Sequence, residues 1–221
     1  MKVKFSIYRF DKEINDKFYY HQFKVPYSKG MTLLDVLNYI QQNLDKTLSF
    51  RWECRSGICG TCGVMVNNKP VLCCNYKIRP TKKIMIVEPL ANFPVEKDLI
   101  VDLKHVLEKF KRIRPYLEKD KEVVVTNIKA NKSKPFRKCI ECGCCIAASK
   151  IVKKNPFDTL DPMALVKLAR FVTDPRDSLN RKKIAKMENI NKYSISEGKK
   201  LCKACPRSIP IDEAIELLKS K

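Results

Sequence analysis

Long apolar runs are missing from these 221 residues. None approaches the ~20 consecutive apolar residues that a membrane-spanning helix needs. A secretory leader is not expected either, because the opening MKVKFSIYRF alternates polar and apolar side chains as a strand does. Internal repeats and low-complexity stretches are absent. Acidic residues are few, 24 Asp and Glu against 45 Lys and Arg, and none form the paired arrangement of acid–base catalysis. Histidine is scarcer still. His21 falls on an expected strand and His105 on an expected helix, both far in sequence from any cysteine, so both read as structural. These absences argue against a spanning protein and against an active site of the chain's own. They place the chain in the cytoplasm, with any contact on the cytoplasmic membrane face made through partner subunits.

What is present is a globular composition, 44% hydrophobic and 31% charged, long enough for one large domain or two small ones. The formal net charge of +21 raises the question of nucleic acid. The lysines are dispersed, however, with no long basic block and no nucleic-acid motif, so no nucleic-acid partner is expected. An acidic protein or anionic lipid surface suits the charge better. Eleven cysteines are the main signal. In a cytosolic chain they point to metal before disulfides. Nine fall into tight clusters, while Cys73 and Cys144 each stand beside a clustered cysteine.

Residues 3–10 and 18–25 are rich in β-branched and aromatic residues and flank a polar DKEINDK, which predicts a hairpin. Residues 32–44 carry Leu33, Val36, Leu37, Ile40 and Leu44 at helical spacing, and Thr32 with Asp35 forms a capping-box pattern. GVMVN and KIMIV predict short strands. The first 90 or so residues thus predict an α+β domain. Beyond Pro94 the period becomes helical, with helices expected over 98–113, over 161–172 and in the C-terminal IDEAIELLKSK. The boundary is placed near 94–98, giving domains 1–96 and 97–221.

Cys54, Cys59, Cys62 and Cys74 follow the spacing C-x4-C-x2-C-x11-C. The first three match a plant-type [2Fe–2S] site, with a distant cysteine completing the set. Gly57, Gly60 and Gly63 give such a loop permissive backbone and free N–H groups. A zinc ribbon would favour paired C-x2-C knuckles, and this stretch has one. Spacing favours Cys74 over Cys73, which reads as a buried spectator. Cys139, Cys142 and Cys145 have the C-x2-C-x2-C spacing of a [4Fe–4S] site. Its fourth donor must come from LCKACP, where Cys205 precedes Pro206 and Cys202 is nearby. Cys144 lies off the ligand register. Trp52 reads as packing beside the first loop, and Arg55 either as a charge that tunes that site or as a solvated or partner-facing arginine.

SFRWECRSGICGTCGVMVNN, EPLANFPVEKDLIVDL, CIECGCC, LARFVTDPRD and the later CP together resemble the iron–sulfur subunit of the succinate dehydrogenase/fumarate reductase family, along the whole chain. ANFPVEKDLIVD is closer to the fumarate reductase side. The resemblance implies a β-grasp plant-type ferredoxin domain followed by an all-α bacterial-ferredoxin-like domain. It also implies an electron-relay role beside a FAD-containing flavoprotein subunit, FAD residing on that partner alone. By position, Cys54, Cys59, Cys62 and Cys74 hold [2Fe–2S], and Cys139, Cys142, Cys145 and Cys205 hold [4Fe–4S].

The family's [3Fe–4S] ligand positions fall on Ser149, Ser196 and Cys202, and one residue is missing before Cys205–Pro206. A serine hydroxyl is far less acidic than a thiol and is a harder ligand, so the [3Fe–4S] cluster is expected to be absent. Lys154 stands where the family has a quinone-pocket aromatic, before the N-P dipeptide, so the usual quinone site is expected to be lost as well. The further electron partner is then a membrane anchor or a soluble thiol/disulfide module, as in thiol-linked fumarate reductases. Competing readings are a free-standing two-cluster ferredoxin-type carrier and a structural zinc framework.

Overall fold

A computed structural model of the protein describes residues 1–118, 122–156 and 158–220. The chain divides into two units, one of residues 1–102 with 142–147, the other of residues 103–141 with 148–221.

The first unit is built around β1 (Lys2–Asp11), whose alternating pattern buries Val3, Phe5 and Ile7 on one face. It pairs antiparallel with β2 (Asn15–Pro26), forming the expected hairpin. Helix α1 (Leu33–Asn43) covers the buried face with Leu33, Leu34, Val36, Leu37 and Ile40. Its expected capping box is present: Thr32 Oγ1 accepts from the Asp35 amide, and the Asp35 carboxylate accepts from the Thr32 amide at 2.7 Å. The short strands β3 (Gly63–Val66), β4 (Lys69–Leu72), β5 (Met85–Glu88), β6 (Val95–Lys97) and β7 (Ile100–Val101) complete one sheet in the order β4-β3-β5-β1-β6-β7, with β2 on β1. The β1–β5 pair is parallel and the others are antiparallel.

Arg9 ends the inward row of β1 and is only 5% exposed. Its Nε donates to Asp98 at 2.9 Å, Nη2 donates to Thr47, and Nη1 pairs with Asp45. Asp98 also accepts from the amides of Phe10 and Ser49. This buried network fastens residues 45–49 just ahead of the first cysteine loop. It also corrects the helix expected over 98–113. Asp98 is held at φ +47°, and the following residues are extended, so the helix begins only at Lys104. Leu99 and Val101 are buried at a spacing of two, the period of a strand and not of a helical stripe, but the stretch is too short for that period to stand out in sequence.

The second unit is helical: α2 (Lys104–Ile113), α3 (Asn127–Lys132), α4 (Lys134–Arg137), the last residue of α5 (Cys144–Ala148), α6 (Lys150–Lys154), α7 (Pro162–Val172), α8 (Arg181–Met187), α9 (Ile195–Ala204) and α10 (Ile211–Lys219). The helices expected over 161–172 and at the C-terminus are α7 and α10. Helix α7 is capped by Asp161, starts on Pro162 as first turns favour, and buries Leu165, Leu168 and Ala169 completely. Arg181 is buried and gathers the turns around this core. It forms a bidentate pair with Asp177 and donates to the carbonyls of Ile113, Arg114 and Tyr116. Among the described residues, no helix is long and apolar enough to cross a membrane.

Candidate metal centre

Irregular backbone carries the first cysteine loop. Arg55, Gly57 and Gly60 have φ of +57°, +68° and +78°, so the chain coils tightly between Cys54 and Cys62. The coil aims N–H groups at sulfur: the Cys54 Sγ accepts from the amides of Ser56 (3.4 Å), Ile58 (3.4 Å) and Cys59 (3.3 Å). Those bonds, Ser56 first, draw its thiol down to about 6. The distant cysteine returns through β4. Cys62 Sγ and Cys74 Sγ lie 3.5 Å apart, and Cys59 Sγ meets the Thr61 hydroxyl at 3.1 Å. Burial, and after it the neighbouring Cys74 and Cys59 sulfurs, push the Cys62 thiol up to about 12. Sulfurs crowded in this way repel one another as thiolates, and bound cations relieve that repulsion. Backbone donors, adjoining sulfurs and a coiled loop fit a [2Fe–2S] group.

Cys73 behaves differently. It is 1% exposed, its amide and carbonyl are spent on Cys62 O and Leu34 N, and burial drives its thiol well above the usual value. Its side chain packs in the core. Trp52 is more than a third exposed, with the Arg55 guanidinium 4.5 Å over its ring. The His21 ring lies tilted against Phe23, 4.2 Å between centroids, with Nδ1 3.6 Å from Asp45. His105 lies on α2.

In the second loop, Glu141 and Gly143 have φ of +58° and +76°. Cys142 and Cys145 belong to the sheet-bearing unit, and Cys139 and Cys205 to the helical unit. The Cys144 thiol, against the effect of burial, lowers Cys142 to about 7. Cys144 itself is fully buried at the start of α5. Cys205 closes α9 as its C-cap, ahead of Pro206, and its Sγ accepts from the Ile209 amide at 3.5 Å. Among the described residues, no group of three or more His, Cys, Asp or Glu side chains converges as a single-ion site would require. The ligands of a polynuclear cluster enclose a larger volume.

Of the remaining positions, Ser149, Ser196 and Cys202 make other contacts. Ser149 is 1% exposed and caps α6, its Oγ accepting from the Val152 amide at 3.3 Å. Ser196 is exposed in the first turn of α9, and its hydroxyl meets that of Ser194 at 2.9 Å. Cys202 Sγ accepts from the Ile211 amide at 3.1 Å and lies 3.2 Å from an Asp212 carboxylate oxygen. Burial first, and then that carboxylate, raises its thiol. Lys154 is exposed in the last turn of α6.

One contributor escaped the sequence reading. Asn92, in ANFP, donates Nδ2 to the carbonyls of Ile146 (2.7 Å) and Ala147 (3.3 Å), behind the second cysteine loop. Its left-handed backbone, φ +67°, suits asparagine, but an Asn-Phe-Pro string in sequence does not say what the amide binds.

A family model described as a 2Fe-2S iron-sulfur cluster binding domain matches residues 4–108. The fumarate reductase iron-sulfur subunit of Haemophilus influenzae is 36% identical over 228 aligned residues, 95% of this chain and 89% of that protein. The mitochondrial succinate dehydrogenase [ubiquinone] iron-sulfur subunit 1 of Oryza sativa is 31% identical over 225 residues, 97% of this chain and 80% of its own length. Among solved structures, a chain of the Mycobacterium smegmatis Sdh1 complex in the apo form matches with a TM-score of 0.89 at 27% identity, covering 98% of this chain and 93% of that one.

Proposed function

Since this chain belongs to the family of iron–sulfur subunits of fumarate reductase and succinate dehydrogenase, we propose that it relays electrons between a FAD-containing flavoprotein subunit and a further partner using two clusters and not three. Cys54, Cys59, Cys62 and Cys74 hold the [2Fe–2S] group, and Cys139, Cys142, Cys145 and Cys205 the [4Fe–4S] group. When bound, these groups supply one-electron chemistry. The chain's own part is to hold them, fix their spacing, and tune them through N–H donors such as the Ser56, Ile58 and Cys59 amides that reach the Cys54 sulfur. In this reading residues 1–96 form a β-grasp plant-type ferredoxin domain and residues 97–221 an all-α bacterial-ferredoxin-like domain. The [3Fe–4S] group is absent.

The observation that carries the two-cluster reading is Ser149, buried and engaged as a helix cap. With Lys154 in place of an aromatic, the electron exit differs from the usual quinone pocket. The further partner is a membrane anchor at the cytoplasmic face or a soluble thiol/disulfide module, and copurification from the native source separates these. Iron and sulfide analysis of anaerobically purified protein tests the count. The expected sum is about six irons per chain, a [2Fe–2S] plus a [4Fe–4S] group. About nine irons, or an intense oxidised-state [3Fe–4S] EPR signal, overturns it. Iron-free, colourless native protein overturns the redox reading altogether.

A further inference from the structure

The segment EPLANFP, residues 88–94, touches both cysteine loops within the sheet-bearing unit. Leu90 is 5% exposed. Its Cδ1 lies 3.0 Å from where a Cβ on Gly63 would stand, and 3.2 Å from where a Cβ on Gly143 would stand. The Phe93 ring comes within 3.0 Å of that same Gly143 position. Asn92 ties down the following turn through the Ile146 and Ala147 carbonyls. The second loop is therefore gripped at its glycine by two apolar side chains and behind its cysteines by an amide.

Gly63 directly follows Cys62, and its lack of a side chain is what permits this arrangement. A Cβ there would stand 2.9 Å from the carbonyl oxygen of Cys142, closer than real Cβ–oxygen contacts come. Gly63 opens β3 opposite Leu72 and is not among the positive-φ residues, so its backbone shape does not itself demand glycine. The demand comes from close approach. The Cys142 carbonyl has no side-chain freedom with which to step aside, and Leu90, Phe93 and Asn92 hold the residues after it.

We propose that Gly63 is a positioning residue that sets the separation of the two cysteine loops, with Leu90 and Asn92 holding the second loop at that separation. The inference rests on the assignment above of Cys62 to one cluster and Cys142 to the other, which makes loop spacing metal spacing. Any side chain at position 63 meets the Cys142 carbonyl and pushes the loops apart without removing a ligand sulfur.

The test uses the full chain with both clusters reduced. EPR power saturation reads how strongly one cluster quickens the spin relaxation of the other, an effect that falls steeply with separation. Wild type at about six irons is expected to show marked enhancement. Gly63→Ala and Asn92→Gly are expected to weaken it several-fold at unchanged iron content. Asn92→Gly keeps the left-handed backbone and removes only the amide, so it decides alone if Gly63→Ala fails to retain iron. Adding Leu90→Ala to Gly63→Ala is expected not to restore the enhancement, because the obstacle is the Cys142 carbonyl. Wild-type saturation in both single variants, restoration by Leu90→Ala, or no enhancement in wild type at full iron overturns the spacer role. Wild type short of six irons instead overturns the cluster assignment, a separately readable failure.

Discussion

Arg181 offers the sharpest test of how the helical unit is held together. Its side chain is fully buried, paired with an equally buried Asp177 at 2.7 Å, and its guanidinium lies 4.5 Å over the Phe171 ring. It also serves the carbonyls of Ile113 at 2.9 Å, Arg114 at 2.6 Å and Tyr116 at 2.7 Å. Arg181→Met keeps most of the stem packing and removes every one of these donors. Losing one member of a buried, hydrogen-bonded ion pair costs about 3–5 kcal/mol. Each stranded buried acceptor adds about 1–3 kcal/mol, though not additively within one network. About 4 kcal/mol is expected, a large share of the ~5–15 kcal/mol that holds a domain folded. In urea, with a slope of about 2 kcal/mol per molar, the helical transition followed by circular dichroism should move down by about 2 M. Removing both charges in Arg181→Met/Asp177→Leu should recover part of the loss, because no buried charge is left alone. Arg181→Lys should recover little, since an ammonium cannot reproduce the fork. A cost below about 1 kcal/mol for Arg181→Met, with native helix content, refutes the hub role.

Cys73→Ala should cost about 1 kcal/mol in a urea melt as a small core deletion while iron content stays unchanged, whereas Cys74→Ala should lose the [2Fe–2S] signal and about two irons per chain. Burial works against ionisation of Asp45, but the Thr47 hydroxyl and amide and then Arg9 bring it from 3.8 to about 2. A folded value below the unfolded one gives stability that is present above 3.8 and lost as pH falls through about 2. Melting temperature should therefore fall across that window in wild type and less steeply in Asp45→Asn, and parallel curves count against the assignment. Ser149→Ala should cost about 1 kcal/mol as a lost helix cap and leave iron content unchanged, while a drop in iron would mean that Ser149 holds metal.

The parts of the fold that were legible in sequence are those where a local pattern and a buried face coincide. Helix α1 shows its cap and its stripe together, and α7 shows Asp161, Pro162 and an apolar run. The helix expected over 98–113 started too early for a non-local reason: Asp98 is shaped by Arg9, 89 residues away. At the site, cysteine spacing marks the sulfurs but not what surrounds them. Cys73 and Cys74 are neighbours in sequence, yet one faces the core and the other faces Cys62. Gly57, Gly60 and Gly63 look alike in the sequence. The structure separates the first two, which need positive φ, from the third, which needs room for a carbonyl. Close approach between distant segments leaves no local signature beyond the glycine itself.

On the two-cluster reading, serine at position 149 has a physical logic beyond the absence of a thiolate. A helix that starts in a buried setting must find acceptors for its first N–H groups. A hydroxyl oxygen accepts such a bond well and a thiol weakly. A sulfur bound to iron would have had the metal to organise that turn. Once the metal is dispensed with, on the two-cluster reading, the turn needs its own cap, and Ser149 supplies it to Val152. Cys202 keeps its thiol but is engaged at a helix terminus as well. Its sulfur accepts the Ile211 amide at the start of α10 and sits against Asp212, a carboxylate that disfavours the thiolate iron requires. Helix-terminal hydrogen bonds thus occupy two of the three positions where a cluster would have been gripped. Restoring thiols alone, in Ser149→Cys/Ser196→Cys, would leave Cys202 still bonded to α10 and should not raise the iron content above about six per chain.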